Sequence, residues 1–215
     1  MMHERIKVLL VDDHAVVRAG FKLLLSSSAN IEVIAEATRG EQAIQLYSQV
    51  HPDIVVMDLS MPGIGGLETI RRLRQRDERA RVLVFSVHDQ QVFVQRALHA
   101  GAQGYISKNS APHILTEAIE KLFQGAIYVE NGLSGESVLQ QEEYDYRKLV
   151  DNLSAREFDV FRLLAMGMTT HRIAEELCLG YKTIANYATQ IKKKLRVSSV
   201  AELTRIALSL GILQR

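Results

Sequence analysis

The chain has 215 residues, with 26 Lys and Arg against 25 Asp and Glu, a hydrophobic content of 47% and a single Cys. That composition is ordinary for a water-soluble chain of one large or two small domains. One Cys excludes an internal disulfide framework and a Cys-rich zinc site, and no apolar run approaches the roughly 18–20 residues of a membrane span. The N-terminal apolar run is too short for a signal segment, so a reduced, cytoplasmic setting is expected.

Five short runs rich in Val and Ile occur at Ile6–Val11, Ile31–Ala37, Ile54–Met57, Val82–Phe85 and Gly104–Ile106. Their length and β-branched content predict buried strands. Between and after them, helical stretches span Ala15–Leu25, Gly40–Gln49, Gly66–Arg76, Gln90–His99 and Pro112–Phe123. Strict alternation predicts an α/β doubly wound, five-stranded parallel sheet covered on both faces. The domain is expected over 5–125, with its cleft at the carboxyl ends of the strands.

Residues 126–150 read as a linker, either partly helical around Glu136–Glu143 or an ordered extension of the last helix. From 151 to 213 every periodic segment is helical, which predicts a small all-α domain of four helices. Ser154 with Glu157 forms a capping box, and Ser199 with Glu202 forms a second. A first helix ends at Gly167. A short one follows over Thr170–Cys178, Gly180 makes a break, and a third runs over Tyr181–Leu195 with Ile184, Ala188, Ile191 and Leu195 on one face. A fourth reaches about Leu210. Two short helices around a Gly-containing turn, the second longer and basic, form a helix-turn-helix pattern. Cys178 reads as a small core residue rather than a redox sensor.

Charge follows the same division. Residues 1–126 carry 14 basic and 14 acidic side chains, 127–150 carry 2 and 5, and 151–215 carry 10 and 6. A neutral head and an acidic bridge thus precede a basic tail suited to a polyanion.

Asp12 and Asp13 follow the first strand, Asp58 the third, Ser86 ends the fourth and Lys108 follows the fifth. All five converge on one edge of the expected sheet. Three carboxylates in one cleft repel each other unless a cation sits among them, and a hard cation with oxygen ligands, Mg2+, fits.

The segments VLLVDDH at 8–14, VVMDLSMPGIGGLE at 55–68, FSVHD at 85–89 and GYISK at 104–108 resemble the receiver domain of two-component response regulators. The stretch from Leu153 to Leu195 resembles the LuxR-type helix-turn-helix. Together the chain resembles the NarL/FixJ family, and the Tyr of TIANY is similar to its GacA/UvrY-like members. The resemblance implies a DNA-binding transcriptional regulator rather than an enzyme, with Asp58 as phosphoacceptor for a sensor histidine kinase. It implies Mg2+ held by Asp13, Asp58 and the backbone carbonyl of Ser60, with Asp12 acting directly or through water. Lys108 would contact the phosphoryl group, Ser86 would donate to it, and Tyr105 would rotate inward behind Ser86. Asn109 stands where many receivers carry proline, Val87 where many carry a smaller residue, and His88 is assigned no role.

On the third helix of the tail, Lys182, Asn186, Thr189, Gln190 and Lys193 lie opposite the apolar stripe. Amides there suit base edges and lysines suit phosphates of double-stranded DNA. Thr183, Tyr187 and Lys194 complete the candidate surface, Tyr187 stacking or bonding a phosphate. A homodimer on paired half-sites is expected once the protein is phosphorylated. The fourth helix offers Val200, Leu203, Ala207 and Leu210 either for that pairing or only for packing on the other three. An aspartyl phosphatase would want an acid where Ser60 stands, and a flavodoxin-like cofactor binder would want Ser/Thr and Gly where Asp12 and Asp13 stand. A constitutive DNA binder that uses its receiver only to dimerise is the remaining alternative.

Overall fold

The computed structural model describes residues 5–133 and 141–213, which fold as two compact units dividing near residue 134. In the first unit, β1 (Ile6–Val11), α1 (Ala15–Ser26), β2 (Ile31–Ala37), α2 (Gly40–Val50), β3 (Ile54–Met57) and α3 (Gly66–Arg76) alternate. They are followed by β4 (Val82–Ser86), α4 (Gln91–Ala100), β5 (Gly104–Ser107), α5 (Pro112–Phe123) and β6 (Tyr128–Val129). All strand pairs are parallel, in the order β2-β1-β3-β4-β5-β6. The order reverses between β1 and β3, which opens a crevice at their carboxyl ends.

Strand alternation sends Ile6, Val8, Leu10, Ile54, Val56, Leu83, Phe85 and Ile106 to one face. There they pack with Leu25 of α1 and Leu115, Ala118, Ile119 and Leu122 of α5, all buried. Phe21 meets Phe85 edge-on at 4.4 Å between ring centroids. The alternate residues Leu9, Val55, Met57 and Val84, also buried, belong to the other face, where α2, α3 and α4 lie side by side.

The sheet departs from the five strands expected. Tyr128 and Val129, read from sequence as the start of a linker, add a sixth strand on the open edge of β5, pairing Gly104 with Tyr128 and Tyr105 with Val129. Two residues carry too little periodicity to be seen as a strand, and the pairing is decided by the free edge they meet.

The second unit holds α6 (Gln141–Asp151), α7 (Ala155–Ala165), α8 (Thr170–Glu176), α9 (Tyr181–Leu195) and α10 (Val200–Ser209). Most of the helix expected over 136–143 lies outside the described residues. Both capping boxes form, Ser154 with Glu157 and Ser199 with Glu202. Phe158, Phe161, Ile173, Ile184, Ile191, Leu195, Leu203 and Ile206 fill the core. The turn between α8 and α9 is built differently from the expectation. Its left-handed residue is Cys178 (φ 52°), while Gly180 is extended and caps α9. Cys178 is exposed and not a core residue.

Candidate functional site

The ends of β1 and β3 bring Asp12 and Asp58 together because the two strands are neighbours in register, Val11 opposite Met57. Both carboxylates are buried, each with 3% of its surface exposed. Lys108 reaches across from the turn after β5 and donates from Nζ to Asp12 Oδ2 at 2.5 Å and to Asp58 Oδ2 at 2.8 Å. Burial pushes the Asp58 carboxyl above its ordinary range, the Lys108 charge opposes it, Asp12 adds to it, and the net shift is upward. For Lys108, burial works to lower the ammonium, but the two carboxylates outweigh it and the shift is upward.

Asp13 completes the cluster. One ligand atom each from Asp12, Asp13, His14 and Asp58 lie within 4.8 Å of one another. Asp13 Oδ1 is buried and accepts no hydrogen bond among the described residues, with His14 Nδ1 only approaching it at 2.9 Å. Three carboxylates gathered at one point, one of them with a buried oxygen that accepts no hydrogen bond among the described residues, are a donor set that fits a hard divalent cation. Arg18, close by on α1, spends its guanidinium on the Asp12 carbonyl (2.7 Å) and the Glu36 carboxylate (3.4 Å).

Ser86 is wholly buried at the end of β4. Tyr105 is also wholly buried, already inward, and its hydroxyl donates to the His88 carbonyl at 2.5 Å. Burial pushes its phenol well above the ordinary value. His88, to which sequence assigned nothing, sits at the mouth of the cleft. Its Nε2 is 2.9 Å from Ser60 Oγ, and its ring stacks on Phe93 of α4 at 4.2 Å. The available signal was positional: His88 follows Ser86 by two residues, as Ser60 follows Asp58, so both overhang the same sheet edge.

In the second unit, Lys182, Thr183, Asn186, Thr189, Gln190 and Lys193 are exposed along α9, and Tyr187 is half-buried. The Thr189 hydroxyl is turned back onto the Ala185 carbonyl at 3.0 Å. Lys194 is already engaged within the unit: its Nζ bonds Glu157 Oε2 at 2.7 Å, the buried acid of the α7 capping box. Burial raises the Glu157 carboxyl, but bonds from Lys194 and Ser154 more than offset this and hold it below its ordinary value. Tyr181 stacks on His171 of α8 at 4.3 Å, fixing the start of α9 against the preceding helix.

Residues 8–120 match the family model of the response regulator receiver domain, and residues 151–207 match that of bacterial regulatory proteins of the luxR family. The chain is 42% identical over 209 residues to the transcriptional activator protein ExaE of Pseudomonas putida, covering 96% of this chain and 98% of that protein. It is 34% identical to the response regulator UvrY of Escherichia coli K12 over 96% of this chain and 95% of UvrY. A LuxR-family two-component response regulator from Aurantimonas sp. SI85-9A1 superposes with a TM-score of 0.59 at 40% identity, over 61% of this chain and 94% of that one. RcsB of Salmonella typhimurium shares the fold over 96% of this chain and 98% of its own, with a TM-score of 0.70 at 23% identity. A receiver fold with a buried acidic cleft, followed by a LuxR-type DNA-binding helix-turn-helix, makes this chain a member of the NarL/FixJ family of two-component response regulators, similar to its GacA/UvrY-like members.

Proposed function

We propose that the protein is a cytoplasmic transcriptional regulator whose DNA binding is switched by Mg2+-dependent phosphorylation of Asp58 from a sensor histidine kinase, and that it is not itself an enzyme toward a separate substrate. The observation that carries this reading is the Lys108 ammonium bridging Asp12 and Asp58 at the carboxyl ends of adjacent strands. One Asp58 oxygen would attack the phosphorus of a phosphohistidine. The phosphorus–nitrogen bond breaks, and the imidazole leaves with the bonding pair. Lys108 already touches Asp58 Oδ2, so its charge is in place for the oxygens of the incoming group. Mg2+ would be held by Asp13, Asp58 and the Ser60 carbonyl, with Asp12 nearby, and when bound it supplies charge neutralisation at the transferring oxygens. Ser86 would donate its hydroxyl to the acylphosphate, with Tyr105 packed behind it.

At the other end, Asn186 and Gln190 would read base edges while Lys182 and Lys193 contact phosphates, with Thr183 and Tyr187 at the rim. Lys194 would hold α9 against α7 through Glu157 rather than contact DNA. The second unit would act as the DNA-binding domain and the first, with β6 included, as the receiver; the linker expected at 126–150 thus holds β6 near its start and α6, a fifth helix beside the four expected, at its end. Phosphorylated protein would pair on two half-sites. The RcsB structure solved on promoter DNA with a phosphate mimic has the same overall fold, with a TM-score of 0.65.

The direct test is phosphorylation by acetyl phosphate, read by intact mass. The wild type is expected to gain one phosphoryl group only with Mg2+ present, and chelation to abolish it. Asp58→Asn is expected to gain none. Phosphorylation of Asp58→Asn at the wild-type rate would refute the assignment.

A further inference from the structure

Lys108 lies in a turn whose two ends are tied to one carboxylate outside the cleft. Glu130 Oε2 accepts from the Ser107 amide at 2.9 Å, and the Ser110 hydroxyl bonds Oε1 at 2.5 Å and Oε2 at 2.6 Å. Ser107 and Ser110 are the ends of a β-turn, closed by the Ser110 amide on the Ser107 carbonyl at 3.2 Å, with Lys108 and Asn109 between them. The Lys108 amide itself donates to the Ser86 carbonyl at 2.8 Å. The turn is thus pinned to β4 on one side and to Glu130 on the other.

Glu130 directly follows β6. Its amide donates to the Tyr105 carbonyl, and the Tyr128 amide donates to the Gln103 carbonyl, both at 3.0 Å. The next ladder step would use the Ser107 amide as donor toward the backbone of the edge strand. The Glu130 side chain takes that donor instead, and β6 stops after Val129. A two-residue edge strand has few bonds of its own, so these charge-assisted ones are a large part of what orders it.

We propose that Glu130 is a positioning residue for Lys108 and that its carboxylate latches the turn carrying this lysine to β6, coupling the cleft to the order of the chain that leaves the receiver sheet. The coupling rests on the role given to Lys108 above. It is reciprocal: whatever fixes Lys108 steadies β6, and whatever frees β6 loosens Lys108.

Amide hydrogen exchange and acetyl phosphate reactivity of the full chain test the latch. Glu130→Ala is expected to raise exchange over 104–110 and 126–130 by about tenfold, since a buried amide loses a charged acceptor. It is also expected to slow phosphorylation severalfold without changing the far-ultraviolet circular dichroism. Glu130→Gln, which keeps a carbonyl acceptor, is expected to recover most of both. Ser110→Ala removes one donor with little risk to folding and is expected to show the same changes in smaller measure. Lys108→Ala, measured without any phosphodonor, is expected to raise exchange at the Tyr128 and Glu130 amides, which a merely structural clamp would not do. Wild-type exchange over 126–130 in Lys108→Ala, or a wild-type phosphorylation rate in Glu130→Ala, would overturn the latch. Should the wild type itself accept no phosphoryl group, the reading of Asp58 falls, and the exchange of Lys108→Ala alone decides the coupling.

Discussion

At Gly66, the first residue of α3, a side chain has no room. A Cβ there would lie 2.3 Å from the Asp58 carbonyl oxygen and 2.6 Å from the Leu59 Cα, both backbone atoms that cannot swing away. The Gly66 amide also donates to the Leu59 carbonyl at 3.1 Å. Gly66 thus lets the helix approach the loop that carries Asp58. Gly66→Ala is expected to destabilise the receiver by about 1–3 kcal/mol through forced backbone shifts, and to slow phosphorylation because Asp58 moves. Chemical denaturation and acetyl phosphate kinetics check both, and wild-type values of each would contradict the account. Residue by residue, the cleft was legible where chemistry marks a strand end: Asp12, Asp13, Asp58 and Lys108 needed only alternation and topology to be brought together. The position of His88 near the sheet edge was legible, but its contact with Ser60, 28 residues away, was not, nor were the bonds of Glu130 to Ser107 and Ser110 across 20–23 residues of chain.

Elements were readable in proportion to the length of their pattern. The strands of Val and Ile and the capped helices stood where periodicity put them. β6 did not, because two residues have no period and need an exposed neighbour edge to define them. Cys178 was misread because the turn between α8 and α9 takes its left-handed residue there and exposes it. Lys194 looked like one more lysine of a basic helix face, yet Glu157 claims it. That pair ties α9 to the start of α7 and sets a pH dependence. A carboxylate held below its ordinary value of 4.5 contributes stability that is full above that value and lost as pH falls through the lowered one. The helical unit is therefore expected to lose part of its stability over an acid window that opens as pH falls through and below that ordinary value. Glu157→Gln is expected to be less stable at neutral pH and flatter over that window, as denaturation midpoints across pH would read. On α9 itself, Asn186→Ala and Gln190→Ala are each expected to cost about 1–3 kcal/mol on a specific site and little on random DNA. Lys193→Ala is expected to weaken both alike and to lower the salt slope by about 1. Salt titrations on both DNAs separate the two classes.

At the scale of the whole molecule, a buried acidic cleft lies in one unit and an exposed basic helix in the other, and the proposed switch makes the first the control of the second. The split of charge along the chain already hinted at this division: acidic and basic side chains balance over residues 1–126, whereas the last 65 residues carry 10 basic against 6 acidic groups. Sequence also made the family legible, because its motifs sit at strand ends and helix caps whose spacing the fold dictates. How strongly one unit acts on the other is a matter of free energy between states, which no spacing encodes. The decisive measurement is the DNA affinity and dimer fraction of the wild type and Asp58→Ala, with Mg2+, before and after acetyl phosphate. The wild type is expected to gain roughly tenfold or more in affinity and to dimerise, while Asp58→Ala stays unchanged. Equal binding by both proteins, indifferent to the phosphodonor, would contradict the account and leave a constitutive DNA-binding protein whose cleft does not govern its output.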